Sequence, residues 1–304
     1  MIHISIILIN YNSKEDTIDC LKSLAKIKST GFKYNIIIVD NASKDFFIVP
    51  KSLQNDDTII IRSEANKGFT GGNNMGIYYA VEKYNSDYVL LLNNDTIVAE
   101  NFLKELVRTA QADPRIGMVA SKIYFMKGKE FHKDSYNKAE LGTVLWYAGG
   151  SIDWKHLAAF HRGVDEIDRG QFDTQTESDF ATGCSVLVKR EILEKVGIFD
   201  KRFFLYLEDV DWSVRVTRAG YKIAFCPTSV VYHKNAGSSG GSGSITHDYY
   251  QTRNRLLFAF KHGNLKETIT ALRIAVLTFL NGSSSQKKAV IHFFMMQFGK
   301  QPII

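Results

Sequence analysis

The chain has 304 residues, of which 45% are hydrophobic, and its formal net charge is +6 at pH 7. This length and apolar content suit one large α/β domain, alone or with an appended segment, and they exclude a globally disordered chain. The cysteines, Cys20, Cys184 and Cys226, fit neither a disulfide framework nor a four-ligand zinc site, so they favour the reducing cytoplasm.

Apolar runs bounded by polar turns predict the first strands at Ile4–Ile9, Asn35–Val39, Thr58–Ile61 and Tyr88–Leu92. The first run is too short for a signal-peptide core, so we expect it to be a buried strand. Helical patterns over 14–27 and 71–84 lie between the strands. The alternation predicts a mostly parallel central sheet flanked by helices.

Beyond residue 100 the pattern is more mixed. It predicts a helix over 100–112, a strand near 117–123, a surface loop over 127–140, and helices over 249–263 and 265–280. The Gly/Ser-rich run at 237–244 fits either a linker or a mobile lid, and both interpretations stay open. The apolar stretch Ala289–Phe298 is too short to span a bilayer.

The positive charge is concentrated at the C-terminal end. Residues 250–304 hold eight Lys/Arg against one acid, Glu267. Such a basic segment suits phosphates, nucleic acid or an anionic membrane surface. Since no known nucleic-acid module accompanies the charge, we expect no nucleic-acid partner.

Ligands of parallel sheets bind beyond the carboxyl ends of the strands. Asn93, Asn94 and Asp95 follow the fourth predicted strand directly, so a carboxylate is expected where a buried strand ends. Mg²⁺ or Mn²⁺ typically binds one or two carboxylates plus phosphate oxygens. The same residues could also form only a turn and a helix cap.

A cluster of carboxylates follows the aromatic-rich stretch 202–207. Glu208, Asp209 and Asp211 lie within four positions, and apolar neighbours raise a carboxyl pKa, as a general base requires. We favour Asp209 over Asp211 as the base. An acidic helix N-terminus is a second interpretation and is compatible with the first.

Three further features could contact a ligand. His233 ends a short apolar run and is either structural or a metal ligand. The glycine-rich loop containing Asn66, Gly68 and Asn73 enters a helix, so its backbone can approach a ligand closely, although it is no Walker sequence. Arg253 and Arg255 fit either forked phosphate contacts or a solvated helix face.

Six sequence blocks together resemble the family 2 glycosyltransferases with a GT-A fold, in particular the rhamnosyltransferase-like branch. The resemblance runs from Ile4 to about Lys261. The blocks lie at residues 6–12, 39–45, 66–74, 91–96, 197–211 and 249–255.

For the donor, the resemblance implies that Asn10 and Tyr11 line a nucleobase pocket and that Asp40 hydrogen-bonds the base. The 66–74 loop would support the nucleotide, and Arg253 and Arg255 would steady its diphosphate.

For the chemistry, the resemblance implies that Asp95 and His233 bind a divalent metal, Mg²⁺ or Mn²⁺, and that Asp209 deprotonates the acceptor. Asn93 stands where the family's D-x-D motif often begins with Asp, so metal affinity is expected to be weaker.

The implied protein is an inverting glycosyltransferase that moves a sugar, best matched by L-rhamnose from dTDP-rhamnose, to a hydroxyl of a cell-surface glycan or a lipid-linked precursor. A UDP-hexose donor and an inactive nucleotide- or glycan-binding module are the alternatives. We expect a catalytic domain over 1–248, with a nucleotide-sugar half (1–99), an acceptor half (100–236) and a flexible loop (237–248). The basic helical segment 249–304 follows, and peripheral contact of residues 265–300 with the inner face of the cytoplasmic membrane stays open.

Overall fold

A ten-stranded sheet forms the centre of the computed structural model, which describes residues 1–235 and 243–303. Most of the Gly/Ser run, for which a linker or a lid was predicted, lies outside the described residues. The strands are β1 (Ile2–Asn10), β2 (Phe32–Asp40), β3 (Thr58–Arg62), β4 (Tyr88–Asn93), β5 (Thr96–Val98), β6 (Ile116–Phe125), β7 (Leu145–Tyr147), β8 (Gly150–Asp153), β9 (Ala158–His161), β10 (Thr176–Glu177), β11 (Ser185–Lys189) and β12 (Lys222–His233).

Helices cover this sheet, and three further helices follow its last strand at the C-terminal end of the chain. They are α1 (Lys14–Leu24), α2 (Gly68–Tyr84), α3 (Phe102–Ala112), α4 (Arg190–Lys195), α5 (Glu208–Arg218), α6 (Ile245–His262), α7 (Leu265–Asn281) and α8 (Ser284–Phe294). Among the described residues, no helix is long and apolar enough to cross a membrane.

The sheet order is β10-β12-β6-β11-β4-β1-β2-β3, and the four strands from β4 to β3 are parallel. The antiparallel strand β11 joins them to β6 and β12, which are parallel to each other. The two-stranded sheet of β8 and β9 is separate. The predicted mostly parallel sheet flanked by helices is confirmed.

Strand β1 is central because it is apolar on both sides. Ile4, Ile6, Ile7 and Leu8 have no exposed surface, which fits a strand covered by helices on both faces. Helix α2 approaches this strand closely through Gly76, where an added Cβ would lie 2.5 Å from a methyl carbon of Ile7.

The register between β5 and β12 places two distant parts of the chain side by side. The two strands are antiparallel and Thr96 lies opposite His233, so Asp95, one residue before β5, lies next to the end of β12. The backbone N–H of Lys234 donates to the carbonyl of Asp95 at 2.8 Å, which ties the end of β12 to the start of β5.

Helix α6 packs into the main core through Leu256, Leu257 and Phe258. The predicted boundary at 248/249 is therefore a change in composition and not a change in packing. Helix α7 is far less buried than α6, since only Ala271 and Ala275 of its residues are buried.

Candidate active site

Asp95 and His233 form a close pair where β4 and β12 end. Oδ1 of Asp95 lies 3.1 Å from Nε2 of His233, and the two residues are 9% and 5% exposed. Within the described part of the chain, Nδ1 of His233 is buried without a hydrogen-bond partner. The structure thus brings together two residues 138 positions apart, for which the resemblance implies a metal site.

This pair suits a divalent metal only as part of a larger ligand set. Among residues 1–235 and 243–303, no cluster of three or more His, Cys, Asp or Glu could hold a metal. A carboxylate and an imidazole can supply two ligands, while phosphate oxygens and water complete the shell of Mg²⁺ or Mn²⁺. Burial raises the pKa of Cys20 to about 12 and that of Cys184 well above its usual value, so neither neighbouring thiol is a thiolate ligand at neutral pH.

Asn93 and Asn94 differ in what they do around this pair. Nδ2 of Asn94 donates to Oγ1 of Thr17 at 2.8 Å, so Asn94 ties the end of β4 to α1. Asn93 is only partly buried, and its backbone N–H donates to the carbonyl of Cys184 at 2.8 Å. Of the two amides, Asn93 is the more accessible.

The predicted nucleobase pocket lies at the carboxyl ends of β1 and β2. Asn10 is 1% exposed and is held between Ser43 and Thr17, with both hydrogen bonds at 3.0 Å. Tyr11 is partly exposed and can line a ligand site.

Asp40 has different partners from the one predicted. It has no exposed surface; Oδ1 accepts from the backbone N–H of Ser43, and Oδ2 accepts from Phe47 N and from Nη1 of Arg62 at 2.8 Å. The geometry does not support a direct hydrogen bond to a base, because both oxygens are used within the protein. Asp40 instead shapes the turn that follows β2.

Two residues that the sequence analysis missed lie beside Asp40. The guanidinium of Arg62 lies 5.3 Å from the ring centroid of Phe46, which is 51% exposed. An exposed aromatic ring with an arginine over it offers a surface for a planar ligand. Arg62 could have been found from its position, since it ends the third parallel strand.

The glycine-rich loop is rigidly held before it enters α2. Oδ1 of Asn66 accepts from Gly68 N at 2.8 Å and from Nδ2 of Asn41 at 3.2 Å, and Nδ2 of Asn73 donates to the carbonyl of Phe69. Gly68 has a φ of +71°, and an added Cβ would lie 2.3 Å from the carbonyl oxygen of Phe204. Glycine is required there both for the backbone conformation and for the space.

The three carboxylates at the start of α5 lie in different environments. Asp209 is partly exposed; its Oδ2 accepts from Gly183 N at 3.0 Å and its Oδ1 from Val210 N at 2.9 Å. Burial raises the pKa of Asp209 above its usual value. Glu208 is 4% exposed, and burial followed by the charge of Asp209 raises its pKa well above the usual value.

Asp211 is a structural anion. It has no exposed surface and pairs with Arg215, Lys261 and His262 at 3.0, 2.6 and 2.7 Å. Burial alone would raise its pKa, but the hydrogen bond from His262 and the positive charges around it lower the pKa overall. Of the three acids, Asp209 alone combines partial access to solvent with a raised pKa.

Arg253 and Arg255 bind backbone carbonyls. Arg253 has no exposed surface, and its guanidinium donates to the carbonyls of Arg202, Phe203 and Gly299 at 2.6 to 2.9 Å. Arg255 donates to the carbonyls of His156 and Leu157. This geometry does not support the predicted contact of either arginine with a diphosphate, because each fork is already engaged inside the protein.

The same fold occurs in solved nucleotide-sugar enzymes. The structure matches "GalNAc-T7 with UDP, GalNAc and Mn2+" with a TM-score of 0.59 at 16% identity, over 97% of this chain and 57% of that chain. It matches "Mannosyltransferase PcManGT from Pyrobaculum calidifontis in complex with GDP-Man and Mn2+" with a TM-score of 0.54 at 15% identity, over 96% and 79% of the two chains. The chain therefore has a GT-A-like fold.

Residues 5–197 match the model of the glycosyl transferase family 2. The chain belongs to this family and is a glycosyltransferase. It is 41% identical over 217 residues, 68% of each protein, to the N-acetylglucosaminyl-diphospho-decaprenol L-rhamnosyltransferase of Mycobacterium tuberculosis. It is 25% identical to the rhamnosyltransferase WbbL of Escherichia coli, over 75% of this chain and 82% of that protein. These similarities support the rhamnosyltransferase-like branch.

A third relative carries a broader description. The low-salt glycan biosynthesis hexosyltransferase Agl10 of Haloferax volcanii is 24% identical over 254 residues, 84% of this chain and 74% of that protein.

Proposed function

We propose that this chain is an inverting glycosyltransferase that transfers L-rhamnose from dTDP-rhamnose to a hydroxyl of a lipid-linked or cell-surface glycan. The proposal rests on the structural connection between Asp209 and the Asp95–His233 pair. Gly183 N donates to Asp209, and the next residue, Cys184, accepts from Asn93 N, two residues before Asp95. One dipeptide of the acceptor half thus holds the base and the end of β4 together.

In the proposed reaction Asp209 removes the proton of the acceptor hydroxyl, and the acceptor oxygen displaces the nucleoside diphosphate from the anomeric carbon. One displacement inverts the configuration at that carbon. A divalent ion held by Asp95 and His233 would supply positive charge for the departing diphosphate. The exposed face of Phe46, with Tyr11 nearby in the fold, is proposed for the base.

The identity of the donor is proposed from the relatives. Two proteins named as rhamnosyltransferases favour rhamnose, and the hexosyltransferase from Haloferax volcanii is compatible with it, since rhamnose is a deoxyhexose. A non-catalytic binding module is disfavoured, since a binder has no need of a carboxylate whose pKa is raised like that of Asp209.

The test is a transfer assay with dTDP-rhamnose, UDP-glucose and UDP-N-acetylglucosamine, using polyprenyl-diphosphate-linked N-acetylglucosamine as acceptor. We expect a rhamnosyl product of inverted configuration by NMR. Transfer only from a UDP-sugar would favour the hexosyltransferase, and retention of configuration would contradict the single displacement.

We also propose that α7 and α8 bring the enzyme to the surface of an anionic membrane, where a lipid-linked acceptor would lie. Apolar side chains are exposed on both helices and just beyond α8, among them Leu277 and Leu280 of α7, Phe294 of α8 and Met296, each 54% to 77% exposed. Basic side chains of the same segment are Lys266, Arg273, Lys287, Lys288 and Lys300. An apolar face combined with positive charge complements acyl chains and anionic headgroups.

A further inference from the structure

The loop that precedes the proposed base has an unfavourable backbone. Phe204, Tyr206 and Leu207 have φ values of 66°, 70° and 65°, although none of them is glycine. Bulky L-residues rarely adopt this region, and they persist there only where the surroundings enforce it. Leu207 immediately precedes α5, so this loop sets where α5 begins and where Asp209 points.

Four successive carbonyls of this loop are held by other parts of the chain. The side-chain amide of Asn254 donates to the carbonyls of Phe203, Leu205 and Tyr206 at 2.8 to 2.9 Å. The remaining one, that of Phe204, accepts from the backbone N–H of Thr70 at 3.2 Å. The loop is therefore fixed from α6 on one side and from the glycine-rich loop on the other.

The orientation of the Asn254 amide is itself determined. Its Oδ1 accepts from Nε and Nη2 of Arg253 at 3.0 and 2.8 Å, so its Nδ2 must face the loop. Asn254 and Arg253 both have no exposed surface. The pair forms a buried unit in which Arg253 directs Asn254, and Asn254 binds the loop.

The contacts from α6 and those from the glycine-rich loop meet at Phe204. Its ring stacks on Tyr250 with centroids 5.1 Å apart, while its carbonyl takes up the space where a side chain at Gly68 would lie. Tyr250 and Asn254 belong to the same helix, α6, and lie one turn apart. Helix α6 thus holds the ring and the carbonyls of a single loop.

We propose that Asn254 is a positioning residue for the transfer reaction: its amide holds the 203–207 loop in the conformation that aims Asp209 at the acceptor. The inference rests on the proposed function, because it assigns Asn254 a task only if Asp209 is the base. It predicts that loosening the hold of Asn254 on the loop lowers turnover, while nucleotide binding at the carboxyl ends of β1 and β2 changes little.

The test replaces Asn254 with Asp, which has nearly the same volume. The variant N254D keeps an acceptor for Arg253 and gains a charge pair with it, so it is expected to fold, but it loses the N–H groups that bind the loop. We expect kcat to fall at least tenfold, whereas the dissociation constant for dTDP changes by less than twofold.

A matched control separates positioning from general destabilisation. Asn264→Ala removes the capping box at the start of α7, whose hydrogen bonds join residues 264–267 to one another. This variant is expected to melt at a lower temperature and to keep the kcat of the wild type per folded molecule. A loss of kcat of the same size in both variants would overturn the proposal.

Hydrogen exchange supplies a readout that needs no substrate. In N254D the peptide covering 202–212 should exchange at least tenfold faster than in the wild type, whereas peptides covering β1 and β2 should not change. Unchanged exchange together with unchanged kcat would overturn the inference. If the wild type transferred no sugar, the proposed function would be wrong. Hydrogen exchange at 202–212 would then decide by itself: faster exchange in N254D would show that Asn254 holds the loop, and unchanged exchange would show that it does not.

Discussion

Asp209 accepts a hydrogen bond from the backbone N–H of Gly183, with 3.0 Å between Oδ2 and N. Gly183 has no room for a side chain, since an added Cβ would lie 2.8 Å from the ring of Phe69. The contact orients the carboxylate without neutralising it. A base that is oriented yet partly exposed can still meet an acceptor hydroxyl, which distinguishes Asp209 from the fully paired Asp211.

Replacing Asp209 with Asn should abolish most of the transfer. A positioned general base contributes roughly 10²- to 10⁴-fold to the rate, so we expect a loss of kcat in that range with nucleotide affinity retained. Asp211→Asn is the matched control, because it removes a buried anion and leaves Arg215 without the carboxylate that it pairs with. That variant should lose stability, by about 3 kcal/mol or more, and keep its kcat per folded molecule. The reverse pattern would make Asp211 the base.

The pH dependence of transfer follows from the direction of the Asp209 shift. Burial raises the pKa of Asp209, and a base must be deprotonated to act, so activity should fall as pH decreases through this raised pKa. An exposed aspartate ordinarily has a pKa of about 3.9. The acidic limb of the kcat/KM profile should therefore lie above pH 4. Rates with saturating metal at each pH, with donor binding measured in parallel, would test this. An acidic limb that is unchanged in Asp209→Asn would assign the titration to another group.

Metal-assisted nucleotide binding should depend on the Asp95–His233 pair. We expect Asp95→Ala and His233→Ala to weaken dTDP binding at least tenfold in the presence of Mn²⁺ and to have little effect in its absence. Asn93→Asp offers the opposite change: it adds a carboxylate at the accessible end of β4 and should increase the affinity for Mn²⁺. Calorimetry with and without the metal provides the measurement. Equal binding by all four proteins would show that nucleotide binding does not use this pair.

Much of the fold could be predicted because its strands have a characteristic local pattern of residues. β1, β2 and β4 each contain an apolar run of four or more residues that ends at a polar residue, and burial on both faces produces that pattern. The Asp95–His233 pair was predicted from the resemblance alone. Local patterns could not reveal it, because it depends on the pairing of β5 with β12 across the sheet.

The roles of the arginines could not be predicted for a related reason. An arginine at a helix start looks the same in sequence whether it faces phosphate, water or a buried carbonyl. Only the folded chain brings the carbonyls of Arg202 and Gly299 to Arg253 from positions about fifty residues away on either side. In the same way, the full burial of Asp40 depends on Arg62, which belongs to another strand.

Membrane binding should depend on the apolar face of α7 more than on any other exposed apolar residue. The double variant Leu277→Asp/Leu280→Asp places two charges where the proposed surface meets acyl chains, whereas Val164→Asp alters an exposed apolar residue elsewhere. We expect the wild type and Val164→Asp to float with liposomes containing phosphatidylglycerol, and the double variant to lose at least tenfold in affinity. Binding should also weaken as salt rises, because the basic side chains contribute through a screened attraction. Equal flotation of all three proteins, or equal binding to purely zwitterionic liposomes, would contradict the proposed surface.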